Sequence, residues 1–319
     1  MTDILQLNLL SPITLAFALG ILARMVRSEF SLPKDIYAGL GIYLLFALGL
    51  KGGVELAKVP LGGILLPILA TLALGCIRPL TSYVALRRLA RFGQVDSAGI
   101  AAHYGSVSAV TFIAALTFLD GVGEEVEGYL PTLLALLESP GIHIALAIGA
   151  LKSSDSRPMG AVLHEVLTGR TMVLLVGGLV VGYVMAPGTW EQVQLFYDGA
   201  IFKGALCLFL LEMGVVAGER LGDLKRTGLT LLVFGVAMAL VHGALGVAFG
   251  LAAGLSTGGA TVLGAMSASA SYIAAPPAVR MTLPEANPTL SLAASLAITF
   301  PFNIVLGIPL YYQIALWLV

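Results

Sequence analysis

Two short runs of small polar residues stand inside long apolar stretches: Gly105-Ser106-Val107-Ser108, and Ser267-Ala268-Ser269-Ala270-Ser271. Both make poor continuous helix, because serine hydroxyls compete for backbone hydrogen bonds and glycine is costly to order. A helix that breaks at such a run restarts with free N–H groups bearing about half a positive charge, a natural place for an anion. Serine hydroxyls add short donors without bulk, and Gly105 admits close backbone approach. One SxS element fits close helix packing equally well. Two of them at matching positions of a repeat point instead to a site.

The elements that must position these runs follow from composition. Of 319 residues, 58% are hydrophobic and 11% charged, against about 25% charged in a soluble domain. A water-facing surface cannot be built from that, so the solvent for this chain is lipid. A net charge of -1 excludes the basic footprint of a nucleic-acid binder. Cys76 and Cys207 both lie in apolar runs, which argues against a disulfide framework or a thiolate metal cluster. Apolar stretches run near 7–26, 36–57, 60–86, 96–119, 129–151, 171–188, 199–218, 228–251, 259–283 and 289–318, which predicts ten membrane-spanning helices and an all-α polytopic fold. The first run has no basic segment before it, and Arg24 and Arg27 follow it, so it reads as a retained helix.

Placing both termini outside puts Arg24, Arg27, Lys34, Arg87, Arg88, Arg91, Lys152, Arg157, Arg170, Arg220, Lys225, Arg226 and Arg280 in inner loops, and only Lys51, Lys58 and Lys203 outside. The positive-inside rule favours this orientation. Acidic Asp120, Glu124, Glu125 and Glu127 then share an outer loop. The halves also match each other. Residues 36–53 align with 201–218, pairing Gly39 with Gly204, Gly49 with Gly214 and Gly53 with Gly218. HYGSVSAVT at 103–111 aligns with MSASASYIA at 266–274, and ESPGI at 138–142 with TFPFN at 299–303. Five spans per half, an odd number, require the second copy to be inverted, the plan of many secondary transporters. The expected organisation is a first repeat at 1–151, a cytoplasmic connector at 152–170 and a second repeat at 171–319.

At these residues the chain resembles the SbtA family of sodium-dependent bicarbonate transporters. HYGSVSAVTF at 103–112 and SASASYIAAPPAVR at 267–280 carry the resemblance, with ESP and TFPFN in support. It implies a 5+5 inverted repeat with two broken, crossing helices, spans 4 and 9. A mobile core of spans 3–5 and 8–10 would move, elevator-like, against a scaffold of spans 1, 2, 6 and 7. It implies a homotrimer in the cell inner membrane that takes up bicarbonate with sodium by symport, without an organic cofactor. The substrate site maps onto Gly105, Ser106, Val107, Ser108, Ser269, Ala270 and Ser271. In that family a longer loop joins the halves, so the short 152–170 connector puts docking of the cytosolic PII-like partner SbtB in doubt. From its residues the connector reads as a polar link, with HEVL at 164–167 as a half-turn of interfacial helix.

Sodium takes oxygen ligands and can share a cavity with an anion, because each lowers the electrostatic cost of the other. Asn303 and Thr299 flank Pro301, whose ring frees a backbone carbonyl one turn earlier. Glu138 is the corresponding acid of the first half. An ionisable residue within a span is by default functional, although an interhelical hydrogen bond explains it as well. Ser108, Thr111 and Thr261 are weaker candidates, since such hydroxyls often bond their own helix. His103, His143 and His242 read as packed hydrogen-bonding residues, and Glu212 as a structural hydrogen bond. Arg78 is expected to snorkel towards the inner surface. Tyr311, Tyr312 and Trp317 read as interface anchors.

No HExxH, paired Cys/His spacing or readable Ser, His and Asp arrangement supports an enzyme. A sodium/proton antiporter of the same fold needs an acid at the break, and Asp96 and Asp120 sit near span ends. A sodium-coupled carrier of another small anion or carboxylate is the nearer alternative. The matched glycines of spans 2 and 7, Gly39 with Gly204 and Gly49 with Gly214, are expected to form either a smooth sliding track or static packing.

Overall fold

A computed structural model describes residues 2–151, 159–186 and 188–319, and among the described residues the regular structure is all helical, with no strand. The helices are α1 (Thr2–Leu9), α2 (Pro12–Met25), α3 (Lys34–Leu56), α4 (Leu61–Arg88), α5 (Gln94–Gly105), α6 (Ala109–Val122), α7 (Leu130–Glu138), α8 (Pro140–Ala150), α9 (Met159–Thr168), α10 (Arg170–Val184), α11 (Gln194–Tyr197), α12 (Ala200–Ala252), α13 (Thr257–Ala268), α14 (Ala275–Thr282), α15 (Pro288–Leu292), α16 (Phe300–Phe302) and α17 (Ile308–Leu318). Seven helical segments are long and apolar enough to cross a membrane, and α9 with α10 adds a bent pair, turned by 59°. Leucines and valines such as Leu66, Leu69, Val180, Val184, Leu229 and Val233 stand exposed on the outer faces. Lipid, and not water, is the medium that tolerates them.

Local chemistry explains several departures from the expected spans. The first apolar run is two helices, because Ser11 caps α2, accepting a hydrogen bond from Thr14 N, and Pro12 opens it. Within α12 the runs 199–218 and 228–251 stay two spans, 194–222 and 228–252, parted at Gly228, whose non-helical φ of 79° is open at low cost to glycine. The last run winds wide at Ala293–Thr299 and again at Asn303–Gly307. Pro301 lies between the two, where it removes a backbone donor. The connector carries a full helix in place of a half-turn: in α9, Val162 and Val166 are buried against Ala98, Ile142 and Val279. Lys152 and Arg157 lie outside the described residues, as does the stretch 152–158, and the side chains of Lys225 and Arg226 are likewise outside them.

Glycines set the closest helix approaches. Gly20 of α2 meets Gly214 of α12, and Gly49 of α3 meets Gly178 of α10. A Cβ on Gly214 would overlap the carbonyl of Phe17, and one on Gly49 the carbonyl of Leu175. In the same way Gly20 faces Leu211 O, and Gly178 faces Phe46 O at 2.9 Å from the built Cβ position. Gly49 and Gly214 therefore serve static packing against α10 and α2. Around Gly39 and Gly204 a Cβ would meet nothing within 4 Å.

Candidate functional site

Both SxS runs interrupt a helix, and the two breaks meet. α5 ends at Ser106, whose backbone is extended (φ -97°, ψ -175°), and α6 begins after Ser108, whose hydroxyl caps it by accepting from Thr111 N at 3.2 Å. α13 ends at Ser269 (φ -81°, ψ 161°), and six residues later α14 begins. Backbone and hydroxyl groups stitch one break to the other. Ser108 N–H donates to Ser269 Oγ at 2.9 Å, and Ser271 N–H donates to His103 O at 2.8 Å. His103 Nδ1 returns the bond to Ser271 O at 2.7 Å, so that nitrogen carries the proton. The Ser271 hydroxyl accepts from Ala274 N and Ala275 N. Irregular backbone at this depth is tolerated because its polar groups are paired inside the protein.

Arg78 completes the junction. Its side chain is fully buried, and Nη2 donates to Ser106 O at 2.7 Å and to Ser269 O at 2.8 Å, tying together the carbonyls that end α5 and α13. This corrects the expectation that Arg78 snorkels. It stands ten residues before the end of α4, roughly 15 Å at 1.5 Å per residue, beyond the reach of its own side chain. Its Nε and Nη1 have no partner among the described residues. The general rule that an ionisable residue within a span is functional was the signal for Arg78. Gly105 packs against Gly141 backbone to backbone, with no room for a Cβ on either. The close approach it admits is to α8.

A cavity of about 40 Å³ opens beside the junction, lined by Val107, Ser108, Glu138, Ser271 and Tyr272 and closed by Leu44 and Phe209 of α3 and α12. A single water needs roughly 10–15 Å³, so the space suits an ion of a few atoms. At the start of α6 the N–H groups of Ala109 and Val110 have no intrahelical partner, and both residues line the cavity. Ser106, Ser269 and Ala270 are buried behind it. Ser106 Oγ lacks a hydrogen-bond partner there.

The expected cation ligands do not all face the cavity. Glu138 and Ser108 face the cavity, Glu138 with Oε2 unpartnered, and the buried Thr111 Oγ1 is also unpartnered. Thr299 Oγ1 is bonded to Tyr104 Oη at 2.6 Å and donates to Gly235 O at 3.1 Å. Asn303 donates to Ala268 O and accepts from Tyr311 Oη at 2.9 Å. Thr261 donates to Thr257 O within its own helix. Tyr311 is thus a buried strut and not an interface anchor. Tyr312 is buried too, donating to Glu124 Oε2 at 2.8 Å, whereas Trp317 is exposed. His242 is bonded to Thr81 Oγ1 at 2.8 Å, and Glu212 accepts from Leu32 N–H at 2.7 Å, both as expected of packed polar residues.

A second, wider cavity of about 580 Å³ is lined by Lys51, Asp120, Glu124, Glu125, Asp198 and Lys203. Lys51 pairs with Asp198 and Lys203 with Asp120, each at 2.6 Å. Among the described residues no cluster of three or more His, Cys, Asp or Glu side chains is arranged to hold a metal ion.

No curated protein matches the sequence. A family model described as the Na+-dependent bicarbonate transporter superfamily matches residues 12–316, nearly the whole chain. With lipid-facing helices, two interrupted helices meeting at their breaks and an ion-sized cavity beside them, the chain belongs to the Na+-dependent bicarbonate transporter superfamily.

Proposed function

We propose that the chain is a sodium-dependent bicarbonate symporter, working by alternating access, with the anion held in the small cavity beside the two breaks. The observation that carries this reading is the convergence there of the α6 start, the Ser108 and Ser271 elements and an otherwise apolar wall. Gly105, Ser106, Ser269 and Ala270 shape the breaks from behind, while Val107, Ser108 and Ser271 face the ion. For sodium, Glu138, Ser108 and Thr111 offer oxygens near the cavity; Thr299, Asn303 and Thr261 already hold other bonds. Carrying one anion with one cation leaves the loaded carrier neutral, whereas an unpaired charge would face the membrane potential, about 2.3 kcal/mol per charge per 100 mV.

The wider assembly is part of the same proposal. Ten crossings place both termini outside the inner membrane, in two inverted repeats, 1–151 and 171–319. The glycine contacts support the repeat. Gly20 meets Gly214 as Gly178 meets Gly49, which relates spans 1 and 7 to spans 6 and 2. Spans 3–5 and 8–10 would slide as a core past spans 1, 2, 6 and 7 in each subunit of a trimer. The short 152–170 connector argues against docking of an SbtB-like regulator in the manner of the longer-looped family.

The test is counterflow of labelled bicarbonate in proteoliposomes with sodium, potassium or choline outside. Uptake dependent on sodium is expected. Uptake undiminished in potassium would sink symport, a proton flux driven by sodium would revive the antiporter, and uptake of another labelled anion in place of bicarbonate would reassign the substrate.

A further inference from the structure

Resting on the reading of the small cavity as the anion site, we propose that the two cavities are the ends of one passage, with α6 on one side and α3 and the start of α12 on the other. The transported anion enters through the wide cavity, and Ile113 is the gate it passes to reach the small one.

The register of the lining residues leads there. Along α6, Val110 and Ile113 line the small cavity, and Ile113, Thr117 and Asp120 line the wide one. Along α3, Gly41 and Leu44 line the small cavity, and Leu48 and Lys51 the wide one. Both sets are spaced by three, four and three residues, which keeps each on a single helix face. In α12, Phe209 lines the small cavity and Phe202, two turns away, the wide one. Three helix faces therefore run unbroken from one cavity to the other, and among the described residues Ile113 is the one common to both linings. Two unrelated packing voids would have no reason to keep the same three faces.

Length and polarity fit a route for an ion. From its cap at Ser108 to Asp120, α6 rises about 18 Å at 1.5 Å per residue. Half of the roughly 30 Å hydrocarbon layer is about 15 Å, so the groove is long enough to lead from breaks at mid-membrane to the outer surface. Ser108 stands at its inner end, and Thr117 and Asp120 at its outer end. Between them come Ile113 and, on α3, Leu44 and Leu48, all buried. A short apolar constriction between polar stretches stops ions by excluding their water, so the passage is shut in this structure. At the mouth, Lys203 of α12 reaches Asp120 of α6 at 2.6 Å. Both side chains are about half exposed, and such pairs hold weakly, so they part readily when the walls do. The proposed core contains α6, and the proposed scaffold contains α3 and the first span of α12. Sliding one past the other carries Ile113 off the two leucines and opens the gate.

The experiment reads cysteine accessibility with a negatively charged, membrane-impermeant methanethiosulfonate, in a background of Cys76→Ser and Cys207→Ser that removes the native free thiols. In right-side-out vesicles the reagent should modify Thr117→Cys quickly, with loss of bicarbonate uptake, and Ile113→Cys more slowly. Bicarbonate with sodium, at about ten times its half-saturating concentration, should slow the reaction of Ile113→Cys about tenfold by occupancy and leave that of Thr117→Cys unchanged. An Ile113→Cys thiol that stays unreactive where Thr117→Cys reacts would separate the two cavities and overturn the proposal. Reaction of both only in inside-out vesicles would overturn it as well. If Ile113→Cys does not assemble, Thr117→Cys decides: full uptake after complete modification would show that the anion does not come this way. Labelling needs no transport, so a wild-type chain that moves no bicarbonate counts against the cargo and not against the passage.

Discussion

The helix pairs α2/α12 and α3/α10 and the junction of the two breaks both bring backbone close to backbone, by opposite means. In the pairs, glycines remove side chains so that α-carbons meet across the interface, as Gly20 does with Gly214 and Gly49 with Gly178. At the junction, side chains are inserted: the Arg78 guanidinium bridges two carbonyls, and Ser269 Oγ receives the Ser108 N–H. Regular helices already satisfy their own backbone and need only shape to pack in lipid. Broken helices expose N–H and C=O groups that must be paired, and leave a few unpaired for a ligand. Where the fold is held by shape, steric changes should break it. Where it is held by polar ties, chemical changes should.

The largest effect is expected at Arg78. Arg78→Met leaves the Ser106 and Ser269 carbonyls without their donor, a loss of about 1–3 kcal/mol for each buried group left unsatisfied. Thermal unfolding in detergent should show little assembled protein, and recovery of full stability by this variant would show that the junction does not depend on the guanidinium. Next comes Gly214→Val. Its side chain would collide with Phe17 O, and overpacking of this kind costs about 1–3 kcal/mol. The melting temperature should fall, and transport should follow the amount of surviving assembled protein. Slowed transport at unchanged stability would restore Gly214 to a sliding track.

Smaller effects sharpen the contrast. Tyr311→Phe removes a hydroxyl that donates to Asn303 Oδ1 and Ala239 O and should cost about 1–2 kcal/mol, measured by the same unfolding assay. A larger rise in the sodium concentration needed for uptake than in instability would place Asn303 on the cation path. Smallest of all, Gly39→Ala and Gly204→Ala meet no neighbour and should change stability by less than about 0.5 kcal/mol. A pronounced loss in either would reveal a subunit contact at that face.

How much could be read in advance depended on the range of the interaction. The break at Ser106–Ser108 and the cap at Ser108 are local events, governed by residues within one turn, and the SxS pattern announces them. The destination of Arg78 is different, since its acceptors lie 28 and 191 positions away. The same holds for Tyr311, an aromatic near a chain end by sequence and a buried strut in the fold. The burial of Val162 and Val166 is not legible in the connector's own residues, because those that cover them come from α5, α8 and α14.

The sequence by itself determined the lipid solvent, the all-helical class, the apolar runs and the two weak points where helices break, because composition and short-range hydrogen-bond competition settle these. Only the tertiary structure decided that the breaks touch, that Arg78 joins the serines in binding them, that Gly49 and Gly214 are packing residues, and that Glu138 shares a cavity with Ser108 and Ser271 while Asn303 and Thr299 hold other bonds. Each of these depends on which distant backbone groups are left unpaired when helices pack, and a linear pattern carries no record of that.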